Sequence, residues 1–174
     1  MILYSGIKTT EDAMNIQILK LLAKDARMSI SDIATVTGLG EEEVSAEIKE
    51  MKADGLIRGF RTVIDWEKLD EFYVSAMVEI KVTPKPGLGF EDIAKKIAKF
   101  HEVESVYLLS GDSDLCVIVK CKTFQDVSRF VAKELAVMES ITSTKTQFVM
   151  RRYKELDVDL EVTDPDERGV VSSC

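Results

Sequence analysis

Ser110-Gly111-Asp112-Ser113-Asp114 sets two carboxylates beside a glycine. Ionised carboxylates only accept hydrogen bonds, so Asp112 and Asp114 suit a cationic or N–H-bearing partner. Glycine allows a close approach of the chain, and the N–H groups around Gly111 offer donors to an anion. The same residues equally spell a tight turn between two strands, a purely structural use. A second chemically able set is cationic: Lys49, Lys52, Arg58 and Arg61 follow one another closely. Such side chains meet phosphates. Thiol and imidazole chemistry is poorly supplied. Cys116, Cys121 and Cys174 form no Cys-x-x-Cys and His101 is the single histidine, so neither a structural zinc site nor a cofactor is expected. Cys116 and Cys121 lie at an odd offset in one expected strand, which places them on opposite faces, unpaired, as thiols of a reducing compartment.

The elements that must hold these groups fall into two sets. The 174-residue length suits one mid-sized domain or two small ones, and 45% hydrophobic residues is too many for a disordered chain. No apolar run approaches the roughly 18 residues of a membrane span, and Met1 to Thr10 lacks a basic, then apolar, leader. A cytoplasmic protein without membrane contact is expected. The net charge of −8 argues against nucleic acid as a partner, but it is unevenly spread. Residues 11–66 carry 7 basic and 11 acidic side chains, residues 74–155 carry 13 and 11, and residues 156–174 carry 1 and 6. Much of the acidity therefore belongs to a tail.

Thr9 or Thr10 can cap a first helix running to about Lys24, with Met14, Ile18, Leu21 and Leu22 as its inward stripe. Ser29, with Asp32 three residues on, starts a second, whose inward set is Ile30, Ile33, Ala34 and Val36. Gly38-Leu39-Gly40 is a turn, and Val44, Ile48 and Met51 mark a third helix ended by Asp54-Gly55. Leu56-Ile57 and Thr62-Val63-Ile64 predict a small hairpin around Arg58-Gly59-Phe60-Arg61. Three short helices and a hairpin spell a winged helix-turn-helix; an unrelated three-helix bundle has the same pattern.

From Tyr73 the period becomes two: Val74, Ala76, Val78, Ile80 and Val82 alternate with polar residues along a half-buried strand. Ile93, Ile97 and Phe100 mark a helix; Val103 to Leu109 and Leu115 to Cys121 read as strands around Gly111-Asp112. Thr123 with Asp126 caps another helix bearing Val127, Val131 and Leu135, and Ile141 to Arg152 alternates again. The order β-α-β-β-α-β is the ferredoxin-like arrangement, with helices on one sheet face. Met77 on the other face, and the alternating set Thr142, Thr144, Thr146, Phe148 and Met150 in the last strand, suggest a partly apolar face covered by a second subunit. The tail from Leu156 alternates through Val162 and is read as disordered beyond Asp164, with room for one edge strand before it.

These motifs, in this order, resemble the leucine-responsive and asparagine-synthesis regulators, the Lrp/AsnC family. Asn15-x-x-Ile18-Leu19-x-x-Leu22-x-x-Asp25-Ala26-Arg27, then Ser29 and Ala34, is similar to the family's opening signature. Lys52-x-Asp54-Gly55-Leu56-Ile57 resembles its turn into the wing, Ser110 to Asp114 its sensor turn, and Thr142-Ser-Thr144-Lys-Thr146 its final strand. The resemblance covers about residues 10–153. It implies an α+β chain: an N-terminal arm (1–10), a winged helix-turn-helix (11–63), a linker (64–73), a ferredoxin-like βαββαβ sensor domain of the RAM type (74–155) and an acidic tail (156–174). It also implies a regulator that binds double-stranded DNA, assembles as a homodimer or higher oligomer with sheets face to face, and binds a small-molecule effector, an amino acid, between subunits near the Gly-Asp turn.

On that reading Ser45, Ala46, Lys49, Lys52, Arg58 and Arg61 contact DNA, and Ser110, Gly111, Asp112, Ser113 and Asp114 bind the effector. Three departures bear on it. Ser113 stands where the family usually has an aromatic residue, Gly40 where it has Ser or Thr, and Glu47 where it has Arg. Glu41-Glu42-Glu43 favours the helix dipole but repels phosphates. The alternative is therefore a metabolite-binding oligomer whose helix-turn-helix has weak or no DNA affinity. Some chains of related architecture decarboxylate haem precursors, but such chemistry needs more histidine than His101, so no enzyme is expected.

Overall fold

The computed structural model describes residues 10–69, 73–85 and 87–160. The chain divides into two units, Met1–Thr62 and Val63–Cys174. The first contains α1 (Thr10–Lys24), α2 (Ile30–Thr37) and α3 (Glu41–Ala53). Ile18, Leu22, Ile33, Ala34, Val44 and Met51 form its core, with Leu21 and Ile48 on the margin. The side chain of Met14 lies outside the described residues. Ile30 and Val36 depart from the expected inward set, at 39% and 66% exposed. Val36 lies off the arc that carries Ile33 and Ala34, and Ile30 sits in the open first turn of α2.

The ends of α2 are as the sequence predicts, while the expected cap of α1 at Thr9 or Thr10 lies outside the described side chains. Ser29 accepts the Asp32 N–H at 3.0 Å and donates to its carboxylate at 2.6 Å. Gly38 closes α2 at φ 76°, a left-handed conformation that favours glycine. The expected hairpin after α3 does not form: residues 56–65 contain no strand. Ile57 instead donates its N–H to the Met51 carbonyl at 2.9 Å, closing α3. A ribbon with arms this short has too few ladder bonds to stand alone.

The second unit opens with a 3₁₀ turn, Trp66–Lys68, and continues β1 (Val74–Val82), α4 (Phe90–Ile97), β2 (Val103–Leu108), β3 (Leu115–Cys121), α5 (Phe124–Phe130) and β4 (Ile141–Phe148). The sheet order is β2-β3-β1-β4 and every neighbouring pair is antiparallel, the ferredoxin-like arrangement. Thr123 accepts the Asp126 N–H at 3.1 Å to cap α5, which passes into a π-turn at Val131–Leu135. Ile93, Ile97, Val127, Phe130 and Leu135 pack on Ala76, Val78, Ile80, Leu115, Val117 and Val119, so both helices cover one sheet face.

The register fixes the other face. Ser75 pairs with Lys120, Met77 with Ile118 and Glu79 with Cys116. Cys121 faces the helices, Cys116 the opposite side, and neither is bridged. Burial pushes both thiols up, Glu79 adding to it at Cys116, so both stay protonated and unreactive near neutrality.

In β4 the expected open-face set is corrected. Thr144, Thr146 and Phe148 lie opposite Ile80, Val78 and Ala76 and so share the helix face, while Lys145 and Gln147 lie opposite Glu79 and Met77. Phe148 decides this: it packs edge-on against Phe124 of α5 at 4.9 Å. The tail also departs from the edge strand anticipated. β5 (Lys154–Glu155) and β6 (Val158–Asp159) pair only with each other, through Leu156 and Asp157 at φ 48° and 66°. Two positive φ values suit a two-residue hairpin turn. The N-terminal arm before Thr10, the tail beyond Leu160 and Cys174 lie outside the described residues.

Candidate functional site

In the helical unit, α3 carries Ser45, Ala46 and Lys49 on one exposed face. With Ile30, Glu41 and Glu42 they line an open recess of about 500 Å³. A neighbouring recess of about 370 Å³ adds Ile48, Lys52 and Phe60. The Lys52 ammonium lies 5.0 Å from the Phe60 ring centre, an attraction of about 0.5–1 kcal/mol at an exposed site. Arg58 folds back on the end of α3. A side chain at Gly55 would sit 2.9 Å from the Arg58 guanidinium carbon, and φ there is 71°. Gly55 thus both turns the chain and seats Arg58. Lys49, Lys52, Arg58 and Arg61 are all exposed. The segment bearing Arg58 and Arg61 is irregular rather than a β-wing. Ile30 and Phe60 join the lining without any sequence signal, because their places depend on how α2 and the post-α3 segment meet α3.

Against these cations stand Glu41, Glu42 and Glu43 in the first turn of α3. Their oxygens complement the partial positive charge at a helix N-terminus, where Gly40 supplies no side-chain cap. The carboxylates therefore support the helix while lowering the potential of the face it presents.

In the sheet unit, the turn 110–114 is tied to β1. Leu109 donates to the Asp114 carbonyl at 2.8 Å and Asp114 donates to the Ile80 carbonyl at 3.0 Å. The Asp114 carboxylate accepts the Val82 N–H at 2.7 Å. Val82 lies one step beyond the shift in the β1–β4 register and past the last β1–β3 pair, Ile80 with Leu115. Its N–H would otherwise lose a partner, so one oxygen of Asp114 completes the ladder. Ser113 donates to Glu79 at 3.3 Å. Ser110, Gly111 and Asp112 are exposed. The five residues thus divide: Ser113 and Asp114 face back onto the sheet, and Asp112 is left to the outside.

Glu79 is the residue sequence reasoning underweighted. It accepts from Gln147 at 2.8 Å and from Ser113, and lies 3.6 Å from the Lys145 ammonium. It links the turn to β4 across the open sheet face. Its only sequence signal is a carboxylate in the outward phase of an apolar strand. Among the described residues, no group of three or more His, Cys, Asp or Glu side chains could hold a metal ion. His101 is exposed, 3.2 Å from Glu102. No helix among the described residues is long and apolar enough to cross a membrane.

A three-helix reader with basic residues on and after its third helix, followed by an antiparallel βαββαβ unit, is the build of a ligand-responsive transcription regulator. Residues 11–58 match a winged helix-turn-helix DNA-binding domain, and residues 75–158 match the Lrp/AsnC ligand-binding domain. The uncharacterised HTH-type transcriptional regulator YugG of Bacillus subtilis is 40% identical over 157 residues, which cover 90% of this chain and 95% of that one. A transcriptional regulator of Neisseria meningitidis, solved with L-methionine, superposes with a TM-score of 0.66 at 19% identity over 86% of this chain and 94% of that one. The feast or famine regulatory protein of Mycobacterium tuberculosis, also complexed with L-methionine, gives 0.67 at 20% identity over 83% and 95%. The chain belongs to the Lrp/AsnC family of HTH-type transcriptional regulators.

Proposed function

We propose that the protein binds double-stranded DNA in the cytoplasm as a homodimer or higher oligomer, without catalysing a reaction. Ser45, Ala46, Lys49 and Lys52 of α3 meet the duplex, with Arg58 and Arg61. An amino acid binds at a subunit interface that includes residues 110–114. The observation that carries this reading is the way the turn is held. Asp114 and Ser113 fasten it to β1, which anchors the turn beside the uncovered sheet face and leaves the Gly111 backbone and the Asp112 side chain exposed. A zwitterion needs an acceptor for its ammonium and donors for its carboxylate, and Asp112 and the Gly111 N–H groups provide both. The uncovered face carries Met77 and Tyr107, 39% and 54% exposed, beside Glu79 and Lys145. Such a mixed, partly apolar face suits a second copy. Two relatives of the same fold were solved with L-methionine. Calorimetry with the twenty amino acids tests the site. Binding is expected to fall about tenfold or more in Asp112→Ala, and full binding in that variant counts against the reading.

A second reading follows from Glu41, Glu42 and Glu43: a metabolite-binding oligomer whose helix-turn-helix has weak DNA affinity. A Lys49→Ala, Arg58→Ala, Arg61→Ala triple variant separates the two. Under the first reading it loses binding to the gene's own upstream DNA at low salt; under the second nothing changes.

A further inference from the structure

At the opposite end of β1 from the Gly-Asp turn, the sheet unit holds a recess of about 540 Å³. Its walls include Trp66, Phe124, Val149 and Leu160, and its polar groups include Ser75 and Arg152. The volume falls within the range of small-molecule sites, about 300–1,000 Å³, which pair apolar walls with a few placed polar groups. Ser75 is the second residue of β1 and the turn meets β1 at Val82, so the two places lie roughly 23 Å apart at about 3.3 Å per strand residue.

The polar groups are held rather than loose. Ser75 is only 5% exposed. The Arg152 guanidinium donates to the Ser75 hydroxyl at 2.8 Å through one terminal nitrogen and to Glu155 at 2.9 Å through the other. Two of its five donors are used in this way, and Ser75, as the acceptor, keeps its own O–H to donate. The aromatic wall is also braced: Trp66 meets Tyr73 edge-on at 5.4 Å, and the Lys120 ammonium lies 4.4 Å from the centre of each ring. An oriented guanidinium with spare donors, next to an apolar wall, is matched by a carboxylate with an apolar tail. Asp65 also lines the recess, but it lies 3.4 Å from the Lys68 ammonium, so nothing here demands an amino group on the ligand.

We propose that this recess is a second small-molecule site, taking a monocarboxylic acid with a compact apolar tail, with Arg152 and Ser75 as the carboxylate donors. It is separate from the 110–114 site, and either stands if the other fails.

Trp66 is the single tryptophan of the chain, so its emission reads this wall directly. The intact protein is titrated with 4-methylpentanoate, 4-methyl-2-oxopentanoate, L-leucine, 3-phenylpropanoate and, lacking the carboxylate, isoamylamine. A saturable change is expected with the acids and not with the amine; the first three probes tell whether plain, oxo or amino acids are preferred. Arg152→Gln is expected to weaken the acids by about tenfold or more, and Asp112→Ala to leave them unchanged. If circular dichroism shows Arg152→Gln unfolded, Arg152→Lys replaces it: it keeps the charge, loses the planar fork and is expected to bind several-fold more weakly. The proposal is overturned if no acid moves the emission at millimolar concentration, if the amine acts as strongly, or if the folded Arg152 variant binds like wild type. Emission that responds to protein dilution but to no acid makes the recess a contact between copies, and overturns it equally.

Discussion

The helical unit buries six apolar residues among those described, all aliphatic or methionine, while the sheet unit buries fourteen in one cluster. The first depends on its helix ends: Ser29 and Asp32 begin α2, Gly38 ends it, and Gly55 with Ile57 ends α3. The second depends on a ladder in which β1 is paired on both sides and Val78, Ile80, Leu115 and Val117 are sealed off from water. The two constructions suit different tasks. A short capped helix can present a polar face with little core behind it. A site at the rim of a sheet is held in place by the whole ladder.

The largest expected effect lies in the sheet. Ile80→Ala empties a fully buried place on the central strand and should cost about 2–5 kcal/mol, read from Trp66 emission in urea. A loss below roughly 1 kcal/mol would show a sheet that repacks, and would remove the contrast with the helical unit. Next comes the charge on α3. Changing Glu41, Glu42 and Glu43 to Gln should raise DNA affinity by about tenfold at low salt, an effect that fades as salt rises. The same change should cost about 0.3–1 kcal/mol of helix stability per site. Stability and binding moving in the same direction would refute the division of roles assigned to those carboxylates.

Smaller effects compare the caps. Ser29→Ala in the helical unit and Thr123→Ala in the sheet unit should each cost about 1 kcal/mol in denaturant midpoint analysis. Their ratio sharpens the comparison: if the helical unit depends more on its ends, Ser29→Ala lowers its function more than Thr123→Ala lowers effector binding. The smallest effect is acidic. The Thr123 hydroxyl, and after it Arg129, hold the Asp126 carboxyl below the ordinary carboxylate range. A folded value below the unfolded one gives stability present above about pH 4 and lost as pH falls through the folded value. Thr123→Ala should therefore move acid unfolding of the sheet unit slightly upward in pH, followed by Trp66 emission; an unchanged acid limb would show that the cap does not hold this carboxylate.

Much was legible from local pattern. The period-two run from Val74 to Val82 names the strand and its inward set, and Thr123 with Asp126 names the start of α5. With Val44, Ile48 and Met51 inward, the helical period sends Glu42, Ala46, Lys49 and Ala53 outward, and all four are exposed. Leu56-Ile57 has the composition of a strand, but the bond from the Ile57 N–H to the Met51 carbonyl makes this segment the end of α3 rather than a hairpin arm. The inward phase of β4 is not legible because all three threonines, Thr142, Thr144 and Thr146, share the phase of Phe148, and threonine suits either a core face or an open one. The pairing of Phe148 with Phe124 settled it, and that contact joins residues of different elements.

The sequence by itself determined the three helices of the first unit, the βαββαβ order of the second and the caps of α2 and α5, because capping, turn chemistry and hydrophobic period depend on residues a few positions apart; its motifs in order carried the resemblance to the family. Tertiary structure decided which of the candidate acids are spoken for. Asp112 and Asp114 are chemically alike in the chain, yet Asp114 completes the ladder at Val82 while Asp112 faces outward. Only the register of β1 against β3 and β4 separates them, since it alone decides which backbone N–H is left without a strand partner.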